Sequence, residues 1–243
     1  MLIYDAANLE SDVKLFTRLV DAAKVVGGLS KPSKMPGYAF NLPASRCKVG
    51  GKLRHVPGSV CFSCYAGDDV AWQQQGGRMM MVDGKLKGSR YATPFVQAAL
   101  AKRYDNLSNP LWVPAMVRLI RNYGEHFRWF DSGDLQSVAM LANIYTIARA
   151  TPNVNHWLPT REAAVVKETA DAYGAAPRNL VIRASGIMVD GKRPNYKTAS
   201  MVVKNAPIPA KAHVCPAPTQ GNQCGDCRAC WNPKVPTVVY HIH

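Results

Sequence analysis

The chain contains no run of about 18 consecutive apolar residues, which excludes an ordinary membrane-spanning helix. Its opening, MLIYDAANLESDVKLF, lacks the order of a secretory leader and brings in Asp5, Glu10 and Asp12 early. A cytoplasmic compartment is therefore expected. No phosphate-binding loop, nucleophile elbow or HExxH motif is present, so none of those chemistries is announced. Internal repeats and low-complexity tracts are also missing. Acidic residues are scarce: 16 Asp and Glu stand against 30 Lys and Arg, for a formal net charge of +14. Such a balance points to an anionic partner, whether nucleic acid or a small acidic ligand. The basic residues are spread out, with short dense patches only at 52–55 and 84–91. Finally, cysteine is absent everywhere except in two groups.

What is present fits a globular protein. The chain has 243 residues, 47% hydrophobic and 19% charged, enough for one α/β domain over 1–243 with a substantial core. Leu9, Val13, Phe16 and Val20 recur at helical spacing and predict an N-terminal helix within 1–30, ended by Gly27 and Gly28. A short strand is expected at 38–44, then a long glycine- and cysteine-rich connection to about residue 88. Helices are expected at about 92–104 and 111–123. From there the rhythm is regular. Strands are expected at 126–130, 154–159, 179–185 and 212–216, with helices starting near 135 (Leu135, Val138, Leu141 and Tyr145 on one face) and spanning 161–174. Strands alternating with helices predict βα units and parallel strands, as a (βα) barrel or partial barrel. The cysteine-rich loops should lie at the C-terminal face of the strands.

Polar residues gather where those strands end: DSGD at 131–134, TRE at 160–162 and RAS at 183–185. Such strand ends carry the chemistry of α/β proteins. Asp131, Arg161, Glu162 and Arg183 are the candidate ligand-binding and proton-handling residues. The two arginines are expected to face an anion. Asp134 and Thr160 serve equally well as helix caps.

The cysteines form two sets, Cys47, Cys61 and Cys64 near the start and Cys215, Cys224, Cys227 and Cys230 near the end. In a cytoplasm, grouped cysteines indicate metal rather than disulfides. The C-x2-C pair at 61–64 lets two sulfurs turn towards one centre. The C-x2-C-x2-C run at 224–230 packs three thiolates in the manner of ferredoxin-type cluster loops. Zinc, which more often uses paired C-x2-C knuckles, is the alternative. The C-terminal set can supply all four thiolates of a [4Fe–4S] cluster. The first set supplies three and would leave one iron open to substrate, water or another ligand. A single cluster fed by both sets is also open.

The segments SKMPGYAFNLPASRC, CFSCYAG, RWFDSGDLQS, LPTRE, IRAS and CPAPTQGNQCGDCRACW together resemble the gene product 88 family of bacteriophage proteins, over about residues 33–232. The resemblance implies a phage origin and a host-cytoplasm setting more than it implies a reaction. A cysteine motif after an early strand of a βα barrel also resembles, in architecture, the radical S-adenosylmethionine enzymes. That likeness implies a three-cysteine [4Fe–4S] cluster whose open iron takes S-adenosylmethionine. The spacing here, Cys47-x13-Cys61-x2-Cys64, departs from that family's C-x3-C-x2-C. Three functions are carried forward. The first is an iron–sulfur protein with redox or radical chemistry on a small or anionic ligand. The second is a zinc-stapled nucleic-acid-binding protein. The third is a non-enzymatic iron–sulfur modulator of a host protein.

Overall fold

A computed structural model of the chain describes residues 1–62, 64–66, 91 and 93–241, together with the backbone of 80–82 and 85–87. Half of the basic stretch at 84–91, namely 84 and 88–90, lies outside the described residues, as do His243 and its neighbour at the C-terminus.

The centre is one open sheet of seven parallel strands. In chain order they are β1 (Tyr38–Phe40), β4 (His126–Trp129), β5 (Asn155–Thr160), β6 (Leu180–Ser185), β7 (Ala199–Val203), β8 (His213–Val214) and β9 (Thr237–His241). Two short strands, β2 (Met80–Val82) and β3 (Lys85–Lys87), form a separate antiparallel pair. The sheet order is β1-β4-β5-β6-β7-β9-β8. The expected parallel βα architecture is present, as an open sheet and not a closed barrel.

Helices supply the crossovers. Two of them, Pro94–Asn106 and Trp112–Ile120, join β1 to β4. Val138–Ala150 joins β4 to β5, and Ala163–Tyr173 joins β5 to β6. Ser137 caps the third of these by accepting the Met140 N–H at 3.1 Å. Leu135, expected on that helix, is buried in the loop before it. The N-terminal helix is broken into Leu9–Lys14 and Leu19–Val26. The break resets the phase: Leu9, Val13 and Phe16 are buried, but Val20 is exposed and Ala22 and Val26 point inward in its place.

Side chains alternate across the strands, as the two-residue period requires. Phe40, Phe127, Trp129, Leu158, Leu180 and Ile182 face the helices in the main core. Arg128, Trp157 and Arg183 face the other way. There Trp157 packs with Met35 and Trp231 in a second, smaller apolar cluster that includes Cys224 and Cys230 at its edge. The C-terminal segment thus covers the face that the helices leave open.

Strands β7 and β9 were not expected. The link from β6 to β7 contains no helix, so the βα rhythm that revealed the earlier strands stops there. The expected strand at 212–216 shrinks to His213–Val214 at the sheet edge, and β9 intervenes between it and β7.

Within the main core, His156 is fully buried. Trp129 donates its indole N–H to Nδ1 at 3.3 Å, so Nε2 carries the proton and meets Thr151 Oγ1 at 2.8 Å. Burial holds the imidazole neutral, with its pKa lowered from 6.5 to about 3. Between those values the unfolded chain binds a proton that the native chain refuses. Stability is therefore complete above pH 6.5 and falls as the pH drops towards 3, by up to about 1.4 kcal/mol per pH unit. The urea midpoint should fall on going from about pH 7 to about pH 5, and His156→Gln should flatten that part of the profile. A His156→Gln profile with the same slope as wild type there would contradict a buried neutral histidine, the comparison being with the variant because Asp134, held up to about 6, acts with the opposite sign below pH 6.

Candidate functional site

The first cysteine set lies at the C-terminal end of the sheet. After β1 the chain makes a 3-10 turn, Ala44–Arg46, reaches Cys47, and enters a short helix, Val49–Leu53. Glu162, at the end of β5, accepts the Val49 N–H on Oε1 at 2.9 Å. Lys48 Nζ donates to the Gln136 carbonyl at 2.7 Å. The Cys47 turn is therefore tied to the loops after β4 and β5. Cys61 is brought back onto it: Ser59 Oγ donates to Leu53 O at 2.6 Å, and Val60 N donates to Ile187 O at 2.9 Å. Gly50 sits between the two. A Cβ there would meet Cys47 Cβ at 3.2 Å and Cys61 Sγ at 3.4 Å, so the missing side chain keeps that space clear.

The electrostatics match this closeness. Burial pushes the Cys47 thiol far up, and Asp134, Cys64 and Cys61 add to the effect while Arg161 opposes it. Burial also raises Cys61, against Arg161. Arg161 donates Nε to Gly186 O at 3.2 Å. Asp134 is buried. It accepts Thr160 Oγ1 at 2.5 Å and the N–H groups of Leu135 and Arg161 at 2.8 and 2.9 Å. Burial still outweighs those bonds and pushes its carboxyl up to about 6. Asp134 and Thr160 thus tie two strand ends together, and the cap of the helix after β4 falls to Ser137. The loop carrying Asp134 lies tight against the loop after β1. At Gly133, φ is +75° and a Cβ would stand 2.7 Å from Leu42 Cβ.

The second set lies on the open face of the sheet. Cys215 leaves β8 with its N–H on Val239 O at 2.9 Å. Cys224 N donates to Lys34 O at 2.7 Å, and Cys227 N to Cys224 O at 3.0 Å. Trp231 anchors the end of the loop, its indole donating to Phe127 O at 3.0 Å. Burial raises the Cys224 thiol, with Cys215 and Cys227 adding to it. Burial pushes Cys230 up to about 11, with Cys215 adding and Tyr240, Arg183 and Arg128 opposing. Tyr240 Oη is 3.2 Å from Cys230 Sγ, and His213 Nε2 is 3.2 Å from Cys227 Sγ.

Arg183 does not face an anion, contrary to the expectation from its strand-end position. It is fully buried. Its five donor directions all end on backbone carbonyls: Nε on Cys230, Nη1 on Ala199 and Val235, Nη2 on Ala229 and Asn232. It clamps the cysteine-rich segment to the sheet. The negatively ionisable groups that act on it are Cys230 and Tyr240.

Between the two sets lies Arg128, 4.5 Å above the Trp157 ring. Tyr65, Asp131, Tyr240 and Tyr91 all act on its charge, and it opposes the burial shift at Cys224 and Cys230. Asp131, expected at the site, is here. Arg161 and Glu162 stand beside the first cysteine set, and Arg183 under the second. Arg128, Tyr240 and His213 were missed. His213 stands two residues before Cys215, a spacing that could have drawn notice. Arg128 is mid-strand and gave no such signal.

The seven cysteines are free thiols. Among the described residues, no three His, Cys, Asp or Glu side chains are grouped so as to hold a metal ion. A single tetrahedral zinc would draw its sulfurs to about 2.3 Å. An iron–sulfur core stands between its cysteines and is served by more widely spaced thiolates. All-sulfur donors, the cleared space at Gly50 and a buried guanidinium held on the Cys230 carbonyl fit that kind of group. The residues that would hold it are Cys47, Cys61 and Cys64 in one set and Cys215, Cys224, Cys227 and Cys230 in the other.

A family model described as gene product 88 matches residues 14–233, a span that contains every cysteine. No curated protein and no solved structure matches the chain. The architectural likeness to radical S-adenosylmethionine enzymes finds no support in these comparisons.

The clamp yields a direct test. Arg183→Met removes five hydrogen bonds and leaves their buried carbonyls unpaired. It should cost on the order of 4 kcal/mol. Protease cleavage within 204–236 should appear before global unfolding. Unchanged stability and an uncut segment would show that the clamp is dispensable.

Proposed function

We propose, for a chain that belongs to the gene product 88 family, an iron–sulfur protein. Its C-terminal set, Cys215, Cys224, Cys227 and Cys230, would hold one cluster with four thiolates. Its N-terminal set, Cys47, Cys61 and Cys64, would hold a second and leave one position without a cysteine. When bound, such groups supply one-electron redox chemistry. The work of the protein would be done in the host cytoplasm of a phage infection.

The observation that carries this reading is the setting of Arg183. A buried cation needs a counter-charge, and the ionisable partners acting on this one are Cys230 and Tyr240. Without metal, burial keeps the Cys230 thiol protonated near pH 7. Coordination deprotonates a thiol outright, so a ligated Cys230 would give Arg183 its counter-charge. Tyr240 then donates its hydroxyl to the sulfur, and the guanidinium stabilises added negative charge. At the first set, Arg161 takes the same part beside Cys47 and Cys61, and Glu162 orients the Cys47 turn through Val49. The zinc-stapled reading is weaker, because the C-x2-C-x2-C run at 224–230 is closer to cluster-binding loops than to paired zinc knuckles.

Protein purified without oxygen should be brown and contain iron and acid-labile sulfide in near-equal amounts. Stoichiometric zinc without sulfide would replace this reading with the zinc one. Cys227→Ser should lower the iron content by about half, the share of one of two four-iron centres. Full iron content in that variant would remove Cys227 as a ligand.

A further inference from the structure

A cavity of about 250 Å³ opens where β4 and β5 begin, lined by His126, Asn155, Arg228, Trp231, Asn232 and Pro233. It lies at the opposite end of the sheet from the first cysteine set. Its volume is below the roughly 300–1,000 Å³ of sites that enclose drug-sized ligands, so it suits a small ligand or one end of a larger one. The walls are fixed. Trp231 is buried, donates its indole N–H to Phe127 O at 3.0 Å, and meets the His126 ring edge-on at 5.3 Å. Arg228 is half-buried, and its Nη1 donates to Gly225 O at 2.6 Å and to Cys227 O at 3.0 Å. Asn232 gives its carbonyl to Arg183 and accepts the Lys234 N–H on Oδ1 at 2.9 Å.

What these bonds leave over is nearly all donor. Arg228 Nε and Nη2, the His126 ring and Asn232 Nδ2 have no hydrogen-bond partner among the described residues. Lys234 fixes the Asn232 amide by occupying its oxygen, which leaves the NH₂ end over. Asn155 donates Nδ2 to Glu125 O at 3.3 Å and keeps Oδ1 as an acceptor. No Asp or Glu is among the lining residues. Burial and then Arg228 lower the His126 pKa, against a smaller effect of Glu125. The ring is thereby held neutral, and a neutral imidazole still donates one N–H.

We propose that this cavity binds a phosphate group, with Arg228, His126 and Asn232 as donors to its oxygens. Nε and Nη2 form one edge of the guanidinium, and such an edge takes two oxygens of one phosphate through charge-assisted hydrogen bonds. Hydrogen phosphate also keeps a hydroxyl to give to Asn155 Oδ1, which an ionised carboxylate lacks. The phosphate is either the free ion or the end of a small ester such as a nucleotide. This site does not depend on metal at either cysteine set.

Titration calorimetry on the full chain, purified without oxygen and held at constant ionic strength, tests the site. The probes are inorganic phosphate, adenosine monophosphate, adenosine and acetate. At least one of the phosphates should bind with a Kd below about 1 mM, and adenosine and acetate should bind about tenfold more weakly or worse. Equal affinity for the two phosphates would show that the phosphate alone is recognised, and tighter binding of the nucleotide would add its nucleoside to the ligand. Arg228→Gln should weaken phosphate binding by about tenfold or more. His126→Phe keeps a ring against Trp231 but removes both nitrogens, and it should weaken binding as well. Lys102→Gln removes one charge from an exposed position on the helix Pro94–Asn106 and should leave binding unchanged. Binding by neither phosphate would overturn the proposal, even if a single-stranded oligonucleotide bound to the basic surface. Equal binding of acetate, or an equal loss in Lys102→Gln and Arg228→Gln, would reduce the site to an adventitious ion only and overturn it too.

Discussion

The arrangement of the open face depends on one buried guanidinium. Parallel sheets are stable when both faces are covered. Here helices cover one face with a large apolar core, while the other receives a loop-rich segment with few apolar residues. That segment contributes chiefly Trp231, which packs against Trp157 and Met35. Arg183 makes up the difference. Its rigid fork meets five carbonyls, from Ala199, Ala229, Cys230, Asn232 and Val235, and so fixes the path of the chain around the last two cysteines and into β9. A lysine, with three donors on a flexible stem, could not define that path.

The same guanidinium sets the electrostatic character of the second cysteine set. Burial alone would make a poor home for either a thiolate or an arginine. Placed together, each lowers the other's cost, and the shifts carry that sign: Arg183 opposes the rise of the Cys230 thiol, and Cys230 opposes the fall of the arginine. The first set repeats the pattern with Arg161 in place of Arg183. It differs in having Asp134 nearby, a carboxylate that works against thiolate formation. The two sets are thus tuned differently, one by a saturated arginine sealed in the protein, the other by a more loosely held arginine and an acid.

Much of this was legible in the residues. The cysteines fell into two groups along the chain, and polar residues after 126–130, 154–159 and 179–185 marked the strand ends. Where the βα period failed, the reading failed. Strands β7 and β9 have no helix between them and their neighbours, so nothing in the pattern separated them from loop. The partners of Arg183 were invisible for a different reason. They are main-chain carbonyls, four of them 46 to 52 residues away, and a carbonyl has no residue-type signature. Arg128 looked like any arginine within a strand, and only the alternation of faces in three dimensions brings it to the face that carries Cys224 and Cys230.

That position gives Arg128 a significance the cysteines alone do not have. Tyr65 directly follows Cys64 and acts on Arg128; Tyr240 touches Cys230 at 3.2 Å and acts on it as well. Arg128, a half-buried cation, and two tyrosines thus stand between the two sets, on a sheet whose strands come from distant parts of the chain. Arg128 acts directly on Cys224 and Cys230, and it meets the first set only through Tyr65, on which Cys64 acts. The strand holding it also carries Phe127, which packs in the main core and whose carbonyl anchors Trp231. The helix-covered face and the cysteine-bearing face are in this way two sides of one mechanical unit.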